Sequence, residues 1–449
     1  MKKKQRKTKR RDRQRPRKDA SLEAAMRLHK SGELIEAEQA YLRVLDANPR
    51  NPQALYLCGV VTGQLGRPCE AIELLQQSVS LEPDHLQAIS ELAKLYQETG
   101  QLQASAEALR KLISLRPDLG ELYSNLGIVF RRLGKLEEAA VACAQAVKLS
   151  PDCAEAHSNL GDVLKGLCRF DEAAAAYRRA VFLRPGLTDV YRHLAAVLRN
   201  SDKLDEATDV FRQWLKYEPD NPVAHHMMAA HRGEDTPTRA SDNYVRRVFD
   251  EFAANFDDDL RALDYQGPRL IGEAVTAELS ERAAGLDVLD AGCGTGLCGP
   301  LLRPIARRLI GVDLSAVMIQ HARELNLYDH LVEGELTDYL NDHPQDFDLI
   351  VAADTFNYFG VLEPLLTSVA YALRKDGILI YTLEQCDASA SVADYRLNPH
   401  GRYSHNKDYV KRCMNERGLT ISSMESATLR KERGQPVAGI VVRAGKQEK

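Results

Sequence analysis

The chain of 449 residues is predicted to be an all-α solenoid of helical hairpins followed by an α/β domain built on a buried sheet. Three observations predict it. Six prolines, Pro49, Pro83, Pro117, Pro151, Pro185 and Pro219, stand 34 residues apart. From Leu286 the hydrophobic period changes, and a short apolar strand runs into a glycine-rich turn, then a helix, then a second strand that ends in an acid. Later apolar runs such as "FDLIVAAD" read as strands covered on both faces.

Each period of the first half carries two small residues. One stands 24 places before the proline, at Ala25, Gly59, Ala93, Gly127, Gly161 and Ala195. The other stands 12 places before it, at Ala37, Ala71, Ser105, Ala139, Ala173 and Ala207. Small residues at both places let two antiparallel helices approach closely, and the proline ends the second helix and turns the chain. With Leu126-Gly127, Leu160-Gly161 and the endings "YRRAVFLRP" and "VKLSP", the segment resembles six tetratricopeptide repeats within residues 18–233. The stretch "NPVAHHMMAAHRG" reads as the helix that closes such an array, with His225, His226, Met227 and Met228 as its packing. Then "EDTPTRASDN" breaks the pattern, which places the domain boundary at residues 233–242.

The length favours two domains. No apolar run approaches the ~20 residues of a membrane helix, and no secretion signal follows the charged N-terminus, so the expected location is cytoplasmic with no membrane insertion. Nine cysteines without a C-x-x-C pair, and no histidine cluster at metal-ligand spacing, read as reduced thiols and predict no metal site. The first 18 residues hold twelve Lys or Arg and one Asp, a charge of +11 in a chain of −4. This basic tail, residues 1–17, is expected to be disordered alone. It is either a weak arm for an anionic partner or a solvated tail. No aromatic residue interleaves the charges, as stacking on bases would require.

In the second half, Asp313 ends the strand "RRLIGVD", 23 residues after Asp290. Glycines let backbone approach a ligand closely, and an acid at the end of the next strand accepts hydrogen bonds from two ribose hydroxyls. Dinucleotide enzymes use G-x-G-x-x-G at this turn. Here "LDAGCGTG" followed by "GVDLS" resembles motif I and the next strand of class I S-adenosylmethionine-dependent methyltransferases. The whole chain is then expected to be an all-α tetratricopeptide solenoid followed by an α/β Rossmann-like class I methyltransferase domain, residues 234–449. The resemblance implies that Gly292, Gly294 and Gly296 cradle the methionine part of S-adenosyl-L-methionine. It further implies that Asp290 helps to hold the amino group, Asp313 with Leu314 binds the ribose, and Met318 packs against the adenine. Glu335 and Leu336 stand where the family often has an aspartate near the adenine amine.

Strand four ends at Asp354. The following Thr355-Phe356-Asn357 departs from the Asn/Asp-Pro-Pro-aromatic stretch of methyltransferases that act on base amines, which argues against a nucleic-acid base as acceptor. Methyl transfer from a sulfonium needs alignment and a place for any acceptor proton. Two rim clusters offer such groups: Asp354, Asn357 and Tyr358 after strand four, and His400, Arg402, Tyr403 and His405 on the loop "NPHGRYSHNKDYV" after strand five. Tyr403 and His405 are favoured as substrate contacts or base, with Asp354 and Tyr358 beside them and Glu384 as a further candidate. Ahead of motif I, Tyr244, Phe249, Phe252, Phe256, Leu260 and Leu263 form a helical stripe. It resembles the cover helices of small-molecule methyltransferases, or else packs a helix on the sheet.

Together the segments resemble a bacterial group of predicted repeat-containing methyltransferases. Three readings follow. The domain methylates a small metabolite while the concave repeat face binds a protein partner, or the repeats recruit a protein or peptide that is itself methylated, or the chain is a non-catalytic adaptor. The inner-face positions Glu23, Leu57, Glu91, Asn125, Asn159 and His193 hold only two asparagines, which weakens a general peptide clamp. Intact Gly292, Gly294, Gly296 and Asp313 speak against the adaptor.

Overall fold

The computed structural model describes residues 21–233, 236–253, 256–279, 285–386, 394–432 and 434–446. The basic tail lies outside these residues. The chain forms two compact units, the first ending at Ser201 and the second running from Asp202.

The first unit is helical throughout. Its hairpins are α1 (Leu22–Lys30) with α2 (Leu34–Ala47), α3 (Pro52–Gln64) with α4 (Pro68–Leu81), α5 (Leu86–Glu98) with α6 (Leu102–Leu115), α7 (Gly120–Arg132) with α8 (Leu136–Leu149), and α9 (Ala154–Gly166) with α10 (Phe170–Leu183). The helix α11 (Thr188–Asn200) follows. The small residues do what their spacing implies. A Cβ on Gly161 would lie 2.6 Å from the ring of Tyr177, so only glycine lets α9 meet α10 at that distance. Between the two helices of a hairpin the chain passes through a left-handed residue, Gly32, Gly66, Gly100 and Gly134 in the first four. Cys168 takes the same place in the fifth at φ 58°, and Asp202, after α11, is likewise left-handed at φ 57°.

The second unit opens inside the repeat pattern with α12 (Leu204–Tyr217) and α13 (Pro222–Arg232). Asn221 caps α13 by accepting from Ala224 N at 2.9 Å. The 34-residue period marks where the repeats stop. Packing draws the unit boundary earlier, because α13 packs both on α12 and on α14 (Asp242–Phe252). Two more helices, α15 (Phe256–Ala262) and α16 (Gly267–Glu278), precede the sheet.

The strands are β1 (Leu286–Ala291), β2 (Ala306–Asp313), β3 (His330–Glu333), β4 (Phe347–Ala352), β5 (Leu373–Gln385), β6 (Tyr395–Leu397), β7 (Tyr403–His405), β8 (Leu419–Glu432) and β9 (Gln435–Lys446). They pair in the order β3-β2-β1-β4-β5-β7-β6, with β9 antiparallel to β5 and β8 antiparallel to β9. Helices α17 (Gly299–Leu302), α18 (Ala316–Glu324), α19 (Leu336–Asn341), α20 (Glu363–Ala372) and α21 (Lys407–Glu416) connect them. Both faces of the central strands are buried, in two clusters that include Leu289, Ile350 and Tyr381 on one side and Val288, Leu349 and Ile380 on the other. This explains their unbroken apolar runs. Strand order reverses between β1 and β4, and in open sheets of this kind ligands bind outside the carboxyl ends of the strands at that point.

Candidate functional site

A cavity of about 200 Å³ opens at the β1/β4 switch point. Its floor is the glycine turn. Gly292 at φ 72° donates to Val312 O at 2.8 Å, and a Cβ there would fall 2.2 Å from Thr355 Oγ1. Gly294, at φ 55°, has only Phe256 within reach, at 4.0 Å, so bare backbone faces the cavity. Gly296 is off the wall, beneath Leu325, and serves the turn itself. Asp313 receives Gly294 N on Oδ2 and Ser315 N on Oδ1, each at 2.9 Å, and burial raises its pKa. Asp290 is 1% exposed and accepts from Tyr328 Oη at 2.7 Å; burial pushes its carboxyl up to about 7. Leu314 and Leu336 line the wall. Glu335 does too, but it spends its oxygens on Arg239 Nη1 at 2.5 Å and on the Asp338 amide as the cap of α19. Met318 is fully buried behind the wall rather than on it.

These residues fit a nucleoside cofactor with a cationic amino-acid end: a bare backbone turn, a fixed carboxylate at the end of β2, and a second carboxylate, Asp290, poised to ionise near neutrality. Cofactor binding should therefore weaken as pH falls. Asp290 has its folded pKa raised, so the apo protein holds it increasingly protonated below about pH 7, and a cationic ligand must then displace that proton. Affinity measured by calorimetry from about pH 8 to about pH 6 should fall several-fold with proton release on binding, and Asp290→Asn should flatten the profile.

The roof comes from α14 and α15. Phe249, Phe256, Leu260 and Leu263 face the cavity, as the helical stripe implied, whereas Phe252 is 43% exposed and Tyr244 packs away from it. Polar contacts fasten the roof to the cofactor loops: Ser315 Oγ donates to Asp250 at 2.5 Å, Thr295 Oγ1 to Asp257 at 2.7 Å, and Arg246 Nε to Leu314 O at 3.2 Å.

The far wall is built from Tyr265, Asp354, Tyr358, Arg402 and Arg430. Asp354, at a left-handed φ of 59°, accepts from Thr382 Oγ1 at 2.9 Å and Arg430 Nη1 at 2.9 Å, and burial raises its pKa. Behind it lies a buried ionic cluster. Glu384, 3% exposed, receives Arg402 Nε at 2.7 Å, Arg430 Nη2, and His400 Nε2 at 3.3 Å. Burial alone would raise its pKa, but these partners hold it well below the carboxylate range. Glu432 accepts from Arg430 Nε at 2.8 Å and from Arg402 Nη2. Asn357 is buried beneath this wall and accepts from Glu384 N at 2.8 Å. The phenols of Tyr265 and Tyr358 have their pKa values raised by burial.

Tyr403 and His405, favoured from the sequence as the substrate-contacting pair, are not on the cavity wall. Residues 403–405 form β7 instead of a rim loop, so their two side chains share one face and are buried against Tyr395, with Tyr409 also beside His405. Tyr403 Oη donates to Pro237 O at 2.7 Å. His405 pairs through Nε2 with Gly360 O at 3.1 Å, and burial lowers its pKa to about 4. Asp354, Tyr358, Glu384 and Arg402 do come together. Tyr265, two residues past the helical stripe, and Arg430, in β8, join them without any sequence signal that links them to the site.

This fold and floor define a class I S-adenosylmethionine-dependent methyltransferase domain. Residues 288–377 match the family model described as a methyltransferase domain. Tetratricopeptide-repeat models match residues 22–85, 125–188 and 159–222, and residues 64–126. The chain thus carries tetratricopeptide repeats followed by a methyltransferase domain, for which the relatives imply S-adenosylmethionine as cofactor. It is similar to a malonyl-[acyl-carrier protein] O-methyltransferase of Acetivibrio thermocellus, 28% identical over 162 residues, 33% of this chain and 56% of that protein. It is also similar to CRG1 of Saccharomyces cerevisiae, a probable S-adenosylmethionine-dependent methyltransferase, 26% identical over 137 residues, 29% of this chain and 46% of that protein. The chain spans about half the length of these curated relatives. A crystal structure of MamA aligns with 26% identity and a TM-score of 0.35, covering 36% of this chain and 94% of that one. No described helix is long and apolar enough to cross a membrane, and all nine cysteines are free thiols.

Proposed function

We propose that the catalytic unit methylates an already ionised oxygen of a small acceptor, held at the Tyr265, Tyr358 and Arg402 end of the cavity. One observation carries this reading. Every carboxylate on the wall, Asp242, Asp290, Asp313, Glu335 and Asp354, has a protein partner, and no described histidine or lysine lines it. An acceptor that arrives as a carboxylate needs no base. When bound, S-adenosylmethionine supplies an electrophilic methyl group on a sulfonium. The chain's own part is positioning and exclusion of water. Tyr265 and Tyr358 stay protonated and can donate to the acceptor. Arg402 spends Nε and Nη2 on Glu384 and Glu432, and its Nη1 has no hydrogen bond among the described residues, which leaves that edge for an anion. Asp354 acts by fixing Arg430. The printed activity of the Acetivibrio relative, O-methylation of a malonyl group, agrees with such an acceptor. In this reading the repeats bind a protein partner on their concave face, and the chain works in the cytoplasm, where its thiols stay reduced.

The test is to offer the full-length protein tritiated S-adenosylmethionine with malonyl thioester, short dicarboxylic acids, phenols and amines. The expected product is a methyl ester, recognised because mild alkali releases its label as volatile methanol. Label that survives alkali in an amine or thiol product would refute the reading.

A further inference from the structure

The turn that presents Arg402 is held from outside the methyltransferase sheet. Residues 398–402 form a tight turn, with Gly401 N donating to Asn398 O at 2.8 Å and Asn398 N to Arg402 O at 2.9 Å. One side of the turn reaches the buried ionic cluster through His400 and Arg402. The other side meets α13, the helix that closes the repeat pattern. There His226 Nε2 lies 2.9 Å from Gly401 O, and His231 Nε2 lies 3.2 Å from Pro399 O. Both acceptors are carbonyls, so each imidazole must be the donor. The His226 ring stacks on Tyr244 of the roof helix at 3.9 Å between centroids and is 5% exposed. Gly401 has φ 88°, and a Cβ there would fall 2.4 Å from Tyr244 Oη and 3.0 Å from Met227 Sδ. The turn is therefore held between α13, α14 and the cluster.

We infer that His226 is a positioning residue of the acceptor site, acting through the Gly401 carbonyl on Arg402. A hydrophobic ring would fill the same space and stack on Tyr244. Only a donor at the Nε2 position fixes the carbonyl and with it the peptide that carries Arg402. The helix α13 then backs the acceptor wall through this turn, without lining the cavity itself. Any displacement of α13 is felt at Arg402 before it reaches the cofactor floor, which α13 does not line.

The experiment uses the full-length chain with His226→Phe and His226→Gln, the glutamine reaching Gly401 O with its amide. Hydrogen exchange needs no acceptor: His226→Phe should speed exchange of the amides in residues 398–402 by roughly tenfold, the worth of one buried hydrogen bond, and leave residues 288–296 unchanged. With the acceptor found by the labelling test, KM for that acceptor should rise by about the same factor, with cofactor affinity held within about twofold and His226→Gln restoring most of the loss. Unchanged exchange at residues 398–402 overturns the inference, as does a cofactor affinity that falls together with acceptor KM or a glutamine variant no better than phenylalanine. Faster exchange without any methylated acid would preserve this inference and count against the carboxylate reading alone.

Discussion

Asp313→Ala should abolish S-adenosylmethionine binding while leaving the fold in place. The side chain ends β2 with both oxygens aimed by amides, Gly294 N and Ser315 N, each at 2.9 Å. Two amides use two of roughly four lone-pair directions, and the others are free for the vicinal hydroxyls of a ribose. A hydrogen bond to a charged acceptor is worth about 1.5–3 kcal/mol, so losing two should cost about 3–6 kcal/mol, a weakening of at least a hundredfold. The amide of Gly294 also loses the group that holds the glycine turn. Calorimetry with S-adenosylmethionine and with its demethylated product should show the same loss for both, because the ribose is common to them. Asp313→Asn should fall between the two, since one oxygen remains an acceptor. Binding within threefold of wild type in Asp313→Ala would remove this residue from the site.

The reach of the sequence was set by how local each signal is. The repeat hairpins were legible because their close approach is written into single positions such as Gly161, and the same demand recurs every 34 residues. The left-handed turn residues at Gly32, Gly66, Gly100 and Gly134 share that period, but Cys168 and Asp202 break the glycine pattern in the last two periods. The glycine floor and Asp313 were legible because strand, turn, helix and acid are contiguous. The acceptor end is the reverse case. Arg430 comes from β8 and meets Asp354, 76 residues away, while Tyr265 precedes α16, and no spacing rule links them. The assignment of Tyr403 and His405 to a rim loop failed on length. A strand of three residues beside Gly401 has no readable period of two, and only its pairing with β5 and β6 reveals it.

Arg430→Met should be among the most destabilising single changes in the second unit. Its guanidinium is 3% exposed and binds Asp354, Glu384 and Glu432 at once. Removing one partner of a buried ionic cluster costs about 3–5 kcal/mol, because the charges left behind stay desolvated. Here three carboxylates would face one remaining arginine, Arg402, with His400 beside Glu384. Asp354 depends on Arg430 most, since Thr382 is its only other side-chain donor among the described residues. The sign with pH follows from its pKa. Burial already raises Asp354, and without Arg430 it would rise further, so ionising it in the folded state costs more than in the unfolded chain. The deficit against wild type should therefore be largest at neutral and alkaline pH and shrink as the solution is taken below about pH 5, where the carboxyls take up protons. The only tryptophan, Trp214, lies in the second unit at 2% exposure, so its fluorescence follows that unit's unfolding without interference from the first. Urea titrations at about pH 5 and about pH 8 should show the contrast, and Asp354→Asn added to Arg430→Met should recover part of the loss at the higher pH, as coupled neighbours do. A deficit below about 1 kcal/mol, or one equal at both pH values, would mean that the cluster is not what holds the far wall of the cavity.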